Sequence, residues 1–402
     1  MYYVGIDWGT EEHQVSVMSQ AGQSISELVI QHTWAGFEQL SHTLKELGPV
    51  EINLERPNGL LVEWLVSQGW PVYFTPPHIV GKRRRRASKD DRRDSRQLAQ
   101  LMRDHDPDCQ RVCFSSEAAE GLRQLVQAYD QLAQEQRRLS NQLRAVLTNY
   151  YPSALGLFNR LHQPLTLAFL QVFPTPQQAQ AASREDLVAF FRSQAYRYMQ
   201  RVEHHYQCLQ QPMPTARVQQ GWVPHMLALV ALLHTLHDQL QHLQRLIRQA
   251  FTAHPEAAWW RALPAGKGDL TLPRLMAYFG DQRDRFSSFQ MLQAIAGTAP
   301  ITQQSGKRRL VSFRLACSRP FRRAISDFAR LSLHHSGWAK AYYLNQLALG
   351  HSKARALRAL ANSWLRILWT IWQRHELYSE SKHLSHQLRQ GILSPASLSL
   401  AA

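Results

Sequence analysis

Four carboxylates in this chain have positions that suit a divalent metal site. Asp7 ends an apolar strand and Glu55 ends a later, short strand. Asp91 and Asp94 lie three residues apart, which puts both on one face of a helix. Magnesium prefers oxygen ligands, and such a site can hold two ions that stabilise the attacking and leaving oxygens of a phosphodiester transfer. We therefore expect the four acids to converge at the carboxyl edge of a sheet.

The acids also permit other interpretations. Ser88 and Asp91 have the spacing of a capping box, which would make Asp91 a helix-start residue. Asp94 and Glu55 each have arginine neighbours and would then form ordinary ion pairs. The stretch from Gly5 to Thr10 matches the phosphate-binding turn of sugar kinases. The residues alone leave these alternatives open.

Two segments of the chain that contain candidate site residues are strongly basic. Residues 82–96 contain nine basic and three acidic residues, and residues 301–325 contain seven basic residues and no acid. Ser305 and Gly306 lie in the second segment, where a glycine lets the backbone approach a phosphate and guanidinium groups can stabilise a pentavalent transition state. A turn serine on a solvated basic surface is the alternative. The predicted nucleic-acid-binding residues are Lys82, Arg83, Arg84, Arg85, Arg86, Lys307, Arg308, Arg309, Arg319, Arg322 and Arg323.

The elements that would position these residues differ between the two halves of the chain. The first hundred residues alternate strand and helix patterns, whereas the middle of the chain has leucines near heptad spacing in two long helices. Those two helices are expected to form an antiparallel coil or a dimerisation arm. We predict domains over 1–115, 116–255 and 256–402. The predicted strands are 2–7, 13–18, 25–31, 51–55 and 72–74, and the predicted helices are 37–47, 60–68, 88–103, 116–150, 226–251, 324–332 and 354–372, with further helical structure over 152–220.

Composition limits the class of protein. The chain has 402 residues with a net charge of +16 and 44% hydrophobic residues, so it is not a disordered basic tail and its expected partner is nucleic acid. Four scattered cysteines do not make a disulfide framework. No secretory signal pattern opens the chain, and no apolar run approaches the ~20 residues of a membrane span. We expect a soluble intracellular protein with no membrane partner.

The motifs resemble a known family in their order along the chain. Gly5-Ile6-Asp7, Glu55 and the stretch from Lys89 to Ser95 resemble the N-terminal domain of the DEDD-type insertion-sequence transposases. This is the IS-one-ten (IS110) family, whose relatives include the Piv-type DNA invertases. The C-terminal half is similar to the serine-bearing domain of the same family through Leu263 to Gly268, Phe279 to Asp281, Ala296 to Lys307, Ser318 to Ala324, and Tyr342-Tyr343.

The resemblance implies a fold and a set of site residues. The first domain would be an α/β RuvC-like fold of the ribonuclease-H type, followed by the helical coiled-coil arm and a mainly α transposase domain. Ser305 would be the nucleophile that forms a covalent phosphoserine link to DNA. Asp90 stands where the family has Thr or Ser, and the three-residue spacing to Asp94 favours Asp91 over Asp90 as a ligand. The Mg²⁺-binding catalytic acids would be Asp7, Glu55, Asp91 and Asp94.

The resemblance also implies an activity and partners. The protein would be a transposase and site-specific recombinase that acts on donor and target DNA. It would be cytoplasmic, in a prokaryote, and associated with the nucleoid. It would be guided by a structured non-coding RNA from its own element and would assemble as a tetramer, a dimer of dimers. One alternative is a metal-dependent RuvC-like Holliday-junction resolvase or nuclease with water as nucleophile. Others are a sugar kinase, which the positive charge disfavours, and a nucleic-acid-binding protein with a decayed site.

Overall fold

The chain divides into two compact units, Met1–Phe114 and Ser115–Ala402. The computed structural model describes residues 1–83, 90–212, 221–266, 270–306 and 308–390. Within these ranges the first unit has one large and one small hydrophobic cluster, and the second unit has two large ones. The expected division into 1–115, 116–255 and 256–402 stays a prediction.

The first unit is built on a six-stranded mixed sheet. Its strand order is β3-β2-β1-β4-β5-β6, with β1, β4 and β5 parallel and the other neighbours antiparallel. Every predicted strand is present with bounds that differ by one residue at most, because alternating apolar residues and clear turns mark them. The short β6 was not predicted. The strands are β1 Tyr2–Asp7, β2 Glu12–Ser19, β3 Ser24–Gln31, β4 Val50–Leu54, β5 Val72–Phe74 and β6 Gln110–Arg111.

The described part of the first unit also has four helices, and the last of them carries the expected acid pair. They are α1 Trp34–Leu47, α2 Leu60–Ser67, α3 Pro77–Arg83 and α4 Asp91–Arg103. The sequence pattern predicts that the last helix begins at residue 88. Among the described residues α4 begins at Asp91, because the side chain of Asp90 caps it by accepting a hydrogen bond from the Arg92 amide. The mixed α/β character of this region is confirmed.

Two long helices organise the first part of the second unit. They are α5 Glu117–Tyr150 and α11 Trp222–Ala253, and α5 is about 50 Å long. Leu122 near the start of α5 shares a core with Ile247 near the end of α11, whereas Leu147 and Met226 share the other core. The pair is therefore antiparallel, as one of the two sequence interpretations expected. Between them lie α6 Pro152–Leu157, α7 Pro164–Val172, α8 Pro176–Ala181, α9 Arg184–Ser193 and α10 Val202–Gln210.

The C-terminal part is mostly helical, as predicted, with a β-hairpin that was not predicted. Four tryptophans (Trp260, Trp338, Trp364 and Trp372) are fully buried in its core. The helices are α12 Ala257–Arg261, α13 Thr271–Phe279, α14 Phe289–Ile295, α15 Arg319–Ser332, α16 Gly337–Ala348, α17 Lys353–Gln373 and α18 Glu380–Arg389, and the hairpin strands are β7 Ile301–Ser305 and β8 Arg308–Ser312.

Within the part of the chain that the structure describes, the helices are all too short or too polar to cross a lipid bilayer.

Candidate metal centre and serine hairpin

Three of the four predicted acids meet at one edge of the sheet. Asp7, Glu55 and Asp94 each offer a carboxylate oxygen, and these oxygens lie within 4.8 Å of one another. β1 and β4 are parallel and Ile6 pairs with Leu54, so the acids that follow this pair emerge side by side. Asp7 and Asp94 are buried, and Glu55 is half-buried. This arrangement is the convergence that the sequence predicted for strand-end acids.

Asp94 reaches this edge because α4 lies unusually close to the sheet. A Cβ atom at Gly5 would come within 1.9 Å of the Ser95 carbonyl oxygen and 2.4 Å of the Ala99 amide nitrogen. The glycine in β1 therefore makes room for the helix backbone. The Oγ atoms of Ser16 and Ser95 lie 2.7 Å apart, and they join β2 to the same helix.

A second polar contact fixes α4 against β4. Asn53 is fully buried, and its Nδ2 donates a hydrogen bond of 2.9 Å to the Leu98 carbonyl oxygen. The same amide donates to Thr75 Oγ1 at 3.0 Å. A buried amide without a hydrogen-bond partner is costly, so the arrangement that pairs Asn53 is preferred. These two hydrogen bonds therefore define the position of α4 along β4.

The turn after Asp7 is held by an aromatic cluster that sequence reasoning missed. Trp8 packs against the imidazoles of His13 and His32, with ring centroids 4.9 and 5.5 Å away. His13 Nδ1 accepts a hydrogen bond from the Gly9 amide, and its Nε2 lies 2.8 Å from His32 Nδ1. Burial, and then the neighbouring His32, lower the pKa of His13 to about 4. A histidine on the inward-facing side of β2 was the available signal for this cluster.

The same tryptophan closes the loop that follows Glu55. Gly59 has a φ of 116°, and a Cβ atom there would come within 2.7 Å of the Trp8 ring. This backbone region favours glycine, and the close approach leaves no space for a side chain. Trp8 thus stabilises both of the turns that carry the strand-end acids.

Asp91, the fourth predicted acid, lies outside the group of three. It is the first residue of α4 and is exposed, whereas Asp94 one turn later is 1% exposed. Ser88 lies outside the described residues, so the capping-box alternative with that serine has no structural description. The role of Asp91 as a metal ligand stays a prediction.

Ser305 lies at the tip of the C-terminal hairpin. It is the last residue of β7 and pairs with Arg308 at the start of β8. Gly306 follows with a φ of 57°, a conformation that suits glycine in a tight turn. The side chain of Ser305 is not among those that the structure describes.

The predicted nucleic-acid-binding residues are described only in part. Arg319, Arg322 and Arg323 lie in the first turn and a half of α15, which the side chain of Ser318 caps. Arg319 and Arg323 are exposed and Arg322 is half-buried. The basic run Lys82, Arg83, Arg84, Arg85 and Arg86 and the hairpin residues Lys307, Arg308 and Arg309 fall outside the described side chains.

Comparison with known proteins identifies the class of enzyme as a transposase, which acts on DNA. A transposase family model matches residues 4–152. The model of the transposase IS116/IS110/IS902 family matches residues 264–344. The first matched region includes the acids and the second includes the serine hairpin. Together the two regions cover more than half of the chain. The chain belongs to the IS110 family of insertion-sequence transposases.

The chain is similar to proteins from three bacteria, and two of these relatives match over almost the whole length. The chain is 27% identical to the mini-circle putative transposase for IS117 of Streptomyces coelicolor, over 94% of this chain and 96% of that protein. It is 31% identical to the putative transposase y4uE of Sinorhizobium fredii, over 46% and 55% respectively. It is 23% identical to an uncharacterized 42 kDa protein of insertion element IS900 from Mycobacterium paratuberculosis, over 94% and 96%. Family membership decides against the sugar-kinase alternative.

Proposed function

We propose that this transposase cuts and rejoins DNA through Ser305, with a divalent cation, Mg²⁺, held by the acids of a RuvC-like domain. The observation that carries the proposal is the group of three carboxylates at the ends of β1 and β4 and on α4. The strand order β3-β2-β1-β4-β5, with antiparallel and parallel halves, supports the ribonuclease-H-type assignment.

The residues present fit a hard divalent cation. Carboxylate oxygens are the ligands that Mg²⁺ prefers, and Asp7, Glu55 and Asp94 supply three of them within 4.8 Å of one another. Two of these side chains are buried, so their negative charges are poorly screened by water. Asp91, three residues before Asp94, is proposed as a fourth ligand. A bound cation would supply neutralisation of the charge that develops on phosphate oxygens.

The serine would carry the covalent step. Its Oγ attacks the phosphorus of a DNA phosphodiester, an Oγ–P bond forms, and one P–O bond of the strand breaks. The serine proton goes to solvent and the leaving oxygen takes up a proton to become a free hydroxyl. Attack by a strand hydroxyl on the phosphoserine reverses these bond changes and rejoins DNA. The tip of the hairpin is accessible, since a Cβ atom at Gly306 would meet no described atom within 4 Å.

Positive charge in the C-terminal part suits the substrate. From residue 285 to residue 375 the chain has fifteen Lys and Arg and one acid, Asp327. Such a region attracts phosphate backbones and releases their counterions. We assign donor and target DNA as partners on this ground. A structured guide RNA and a homotetramer are further parts of the proposal, and they rest on the family resemblance.

A covalent-adduct assay tests the proposal. Protein co-expressed with its RNA is mixed with Mg²⁺ and labelled element-end DNA, then denatured and compared with Ser305→Ala. We expect a protein–DNA adduct with the parent and none with the variant. Ser312→Ala, a change of the same kind at the end of β8, is the control and should retain the adduct.

Two results would contradict the serine mechanism. Cleavage without an adduct that is unchanged in Ser305→Ala would favour the metal-dependent nuclease with water as nucleophile. Salt-dependent DNA binding that no acid substitution affects, with no cleavage at all, would favour a nucleic-acid-binding protein with a decayed site.

A further inference from the structure

Two arginines from different helices pack against one aromatic ring at the base of the serine hairpin. Phe313 follows β8 directly and is 39% exposed. The guanidinium carbon of Arg322, in α15, lies 4.3 Å from the ring centroid, and that of Arg358, in α17, lies 4.2 Å from it. Sequence reasoning had singled out Arg322 but not Arg358. The ring therefore holds two like charges close together.

The position of Arg322 is tightly defined by its neighbours. Its Nη2 donates a hydrogen bond to the Arg314 carbonyl oxygen. Gly297 has a φ of 65°, and a Cβ atom there would come within 2.3 Å of Arg322 Nη2 and 2.7 Å of Cys317 Cβ. The glycine thus leaves the space that the guanidinium occupies. Arg322 Nε is buried without a hydrogen-bond partner among the described atoms.

The two helices present their amino ends on the same side. Arg322 and Arg358, near the two helix starts, share Phe313, while further along Phe328 packs on Trp364 with ring centroids 5.0 Å apart. α15 and α17 therefore run parallel. Each amino end carries a partial positive charge of about half a unit. Cations near such an end are destabilised, whereas a bound anion is stabilised. Neither first turn contains an acid.

The charge around Arg358 is uniformly positive. Burial, and then the charges of Arg322 and Arg355, lower the pKa of the Arg358 guanidinium. The one acid between residues 285 and 375, Asp327, forms an ion pair of 3.0 Å with Arg330 on its own helix. Asp327 is thus not available to the arginine pair, and among the described residues 285–306 and 308–375 there is no second acid. Half-buried like charges in such surroundings are costly unless an anion is bound.

We propose that Arg322 and Arg358, at the amino ends of α15 and α17, form a site for a backbone phosphate of DNA at the base of the Ser305 hairpin. Guanidinium groups bind phosphate oxygens through paired, charge-assisted hydrogen bonds. The assignment to DNA rests on the proposed function, whereas the phosphate site itself rests on the geometry around Phe313. A phosphate held there would orient the strand relative to the hairpin that carries the serine.

The test is DNA binding by the full-length chain with Arg358→Met. Methionine keeps an unbranched apolar chain like the stem of arginine and removes the charge. A labelled DNA duplex of mixed sequence is titrated at several salt concentrations in the Ser305→Ala background without divalent cation. We expect affinity to fall by about tenfold, and the slope of log affinity against log salt to become less steep by about one unit. Binding in this background does not depend on cleavage, so a failed adduct assay leaves the result interpretable.

Arg366→Met is the matched control. Arg366 is exposed on the same helix, about 12 Å further along its axis, and its loss changes net charge equally. We expect less than a twofold change with this variant. Equal losses for the two variants would overturn the proposal, and so would a loss confined to an RNA duplex of the same sequence. Arg358→Lys adds a check on folding, since it should restore the parent salt slope, and failure to restore it in a folded protein would also overturn the proposal.

Discussion

If the three-acid group binds a divalent cation, as we propose, that cation should stabilise the folded protein, and one substitution should remove the effect. The offered carboxylate oxygens of Asp7, Glu55 and Asp94 lie within 4.8 Å of one another, and two unit charges at that separation interact by about 3.5 kcal/mol at an effective dielectric constant near 20. A divalent cation bound among these carboxylates would attract each of them and offset the repulsion between them. A cation that binds the folded chain and not the unfolded one would raise the free energy of unfolding.

The size of this effect follows from mass action. At a Mg²⁺ concentration a hundredfold above the dissociation constant, the free energy of unfolding rises by about 2.7 kcal/mol. For a unit the size of Met1–Phe114 that corresponds to a shift in Tm of about 10 °C. Asp94→Asn keeps the shape of the side chain but removes one charge and one ligand. If the site becomes a hundredfold weaker, the same concentration stabilises the variant by only about 0.4 kcal/mol.

Thermal unfolding with and without Mg²⁺, followed by calorimetric titration of the ion, measures this difference. Asp104→Asn is the control, because Asp104 is exposed at the other end of α4 and should leave the full stabilisation in place. Asp91→Asn tests the fourth ligand, with a partial loss expected if Asp91 binds the ion. Equal stabilisation of the parent and Asp94→Asn by Mg²⁺, or no stabilisation of the parent, would refute the metal site.

Three further predictions concern the parts that support the site. Gly5→Ala should destabilise the first unit by about 3 kcal/mol in urea denaturation and weaken Mg²⁺ binding, because the new Cβ would collide with the α4 backbone. Asp130→Ala should destabilise the second unit by about 2–3 kcal/mol, measured by thermal unfolding, because the half-buried guanidinium of Arg274, 2.6 Å from the buried carboxylate, loses its charged hydrogen-bond partner. Since the folded-state pKa of His13 is about 4 and its ordinary value is 6.5, the unfolded chain binds the extra proton between these pH values. Stability should therefore fall by about 1.4 kcal/mol per unit as pH drops through this window, and His13→Gln should flatten that part of the urea-denaturation profile.

The sequence predicted the sheet well because local signals mark it. Alternating apolar residues separated by short turns place β1, β2 and β3 to within one residue. The acids at strand ends were predictable for the same reason, since parallel neighbours bring their carboxyl ends together. Helix α4 begins at Asp91 and not at residue 88, because Asp90 is extended and its side chain caps the helix.

Spacing alone did not distinguish the two acids of α4. A separation of three residues puts Asp91 and Asp94 on one helix face, but burial depends on where that face meets the sheet. Asp94 lies over the edge formed by β1 and β4, and Asp91 lies one turn closer to the end of the helix and is exposed. The difference in burial between the two acids depends on how the helix packs on the sheet, and the local sequence does not indicate it.

The serine hairpin and the arginine pair show the same limit in the second unit. A Ser-Gly pair between two short polar strands was a usable turn signal, although the basic composition concealed the strands. Arg358 had no comparable signal, because the helix pattern of α17 was predictable whereas its contact with Phe313 was not. Only the parallel packing of α15 and α17 brings it to the hairpin.

Three positions interrupt the hydrophobic pattern of the sheet, and the residues at these positions determine where Asp94 lies. Gly5, Ser16 and Asn53 occupy buried positions of β1, β2 and β4 where apolar side chains would add more to the core. The glycine admits the backbone of α4, and the other two bond to it through Ser95 and the Leu98 carbonyl oxygen. Larger apolar residues there would hold the helix further from the sheet and the third carboxylate further from the other two. The chain thus gives up hydrophobic burial at the positions that bring the acids together, as expected where a site and not the core determines the residue.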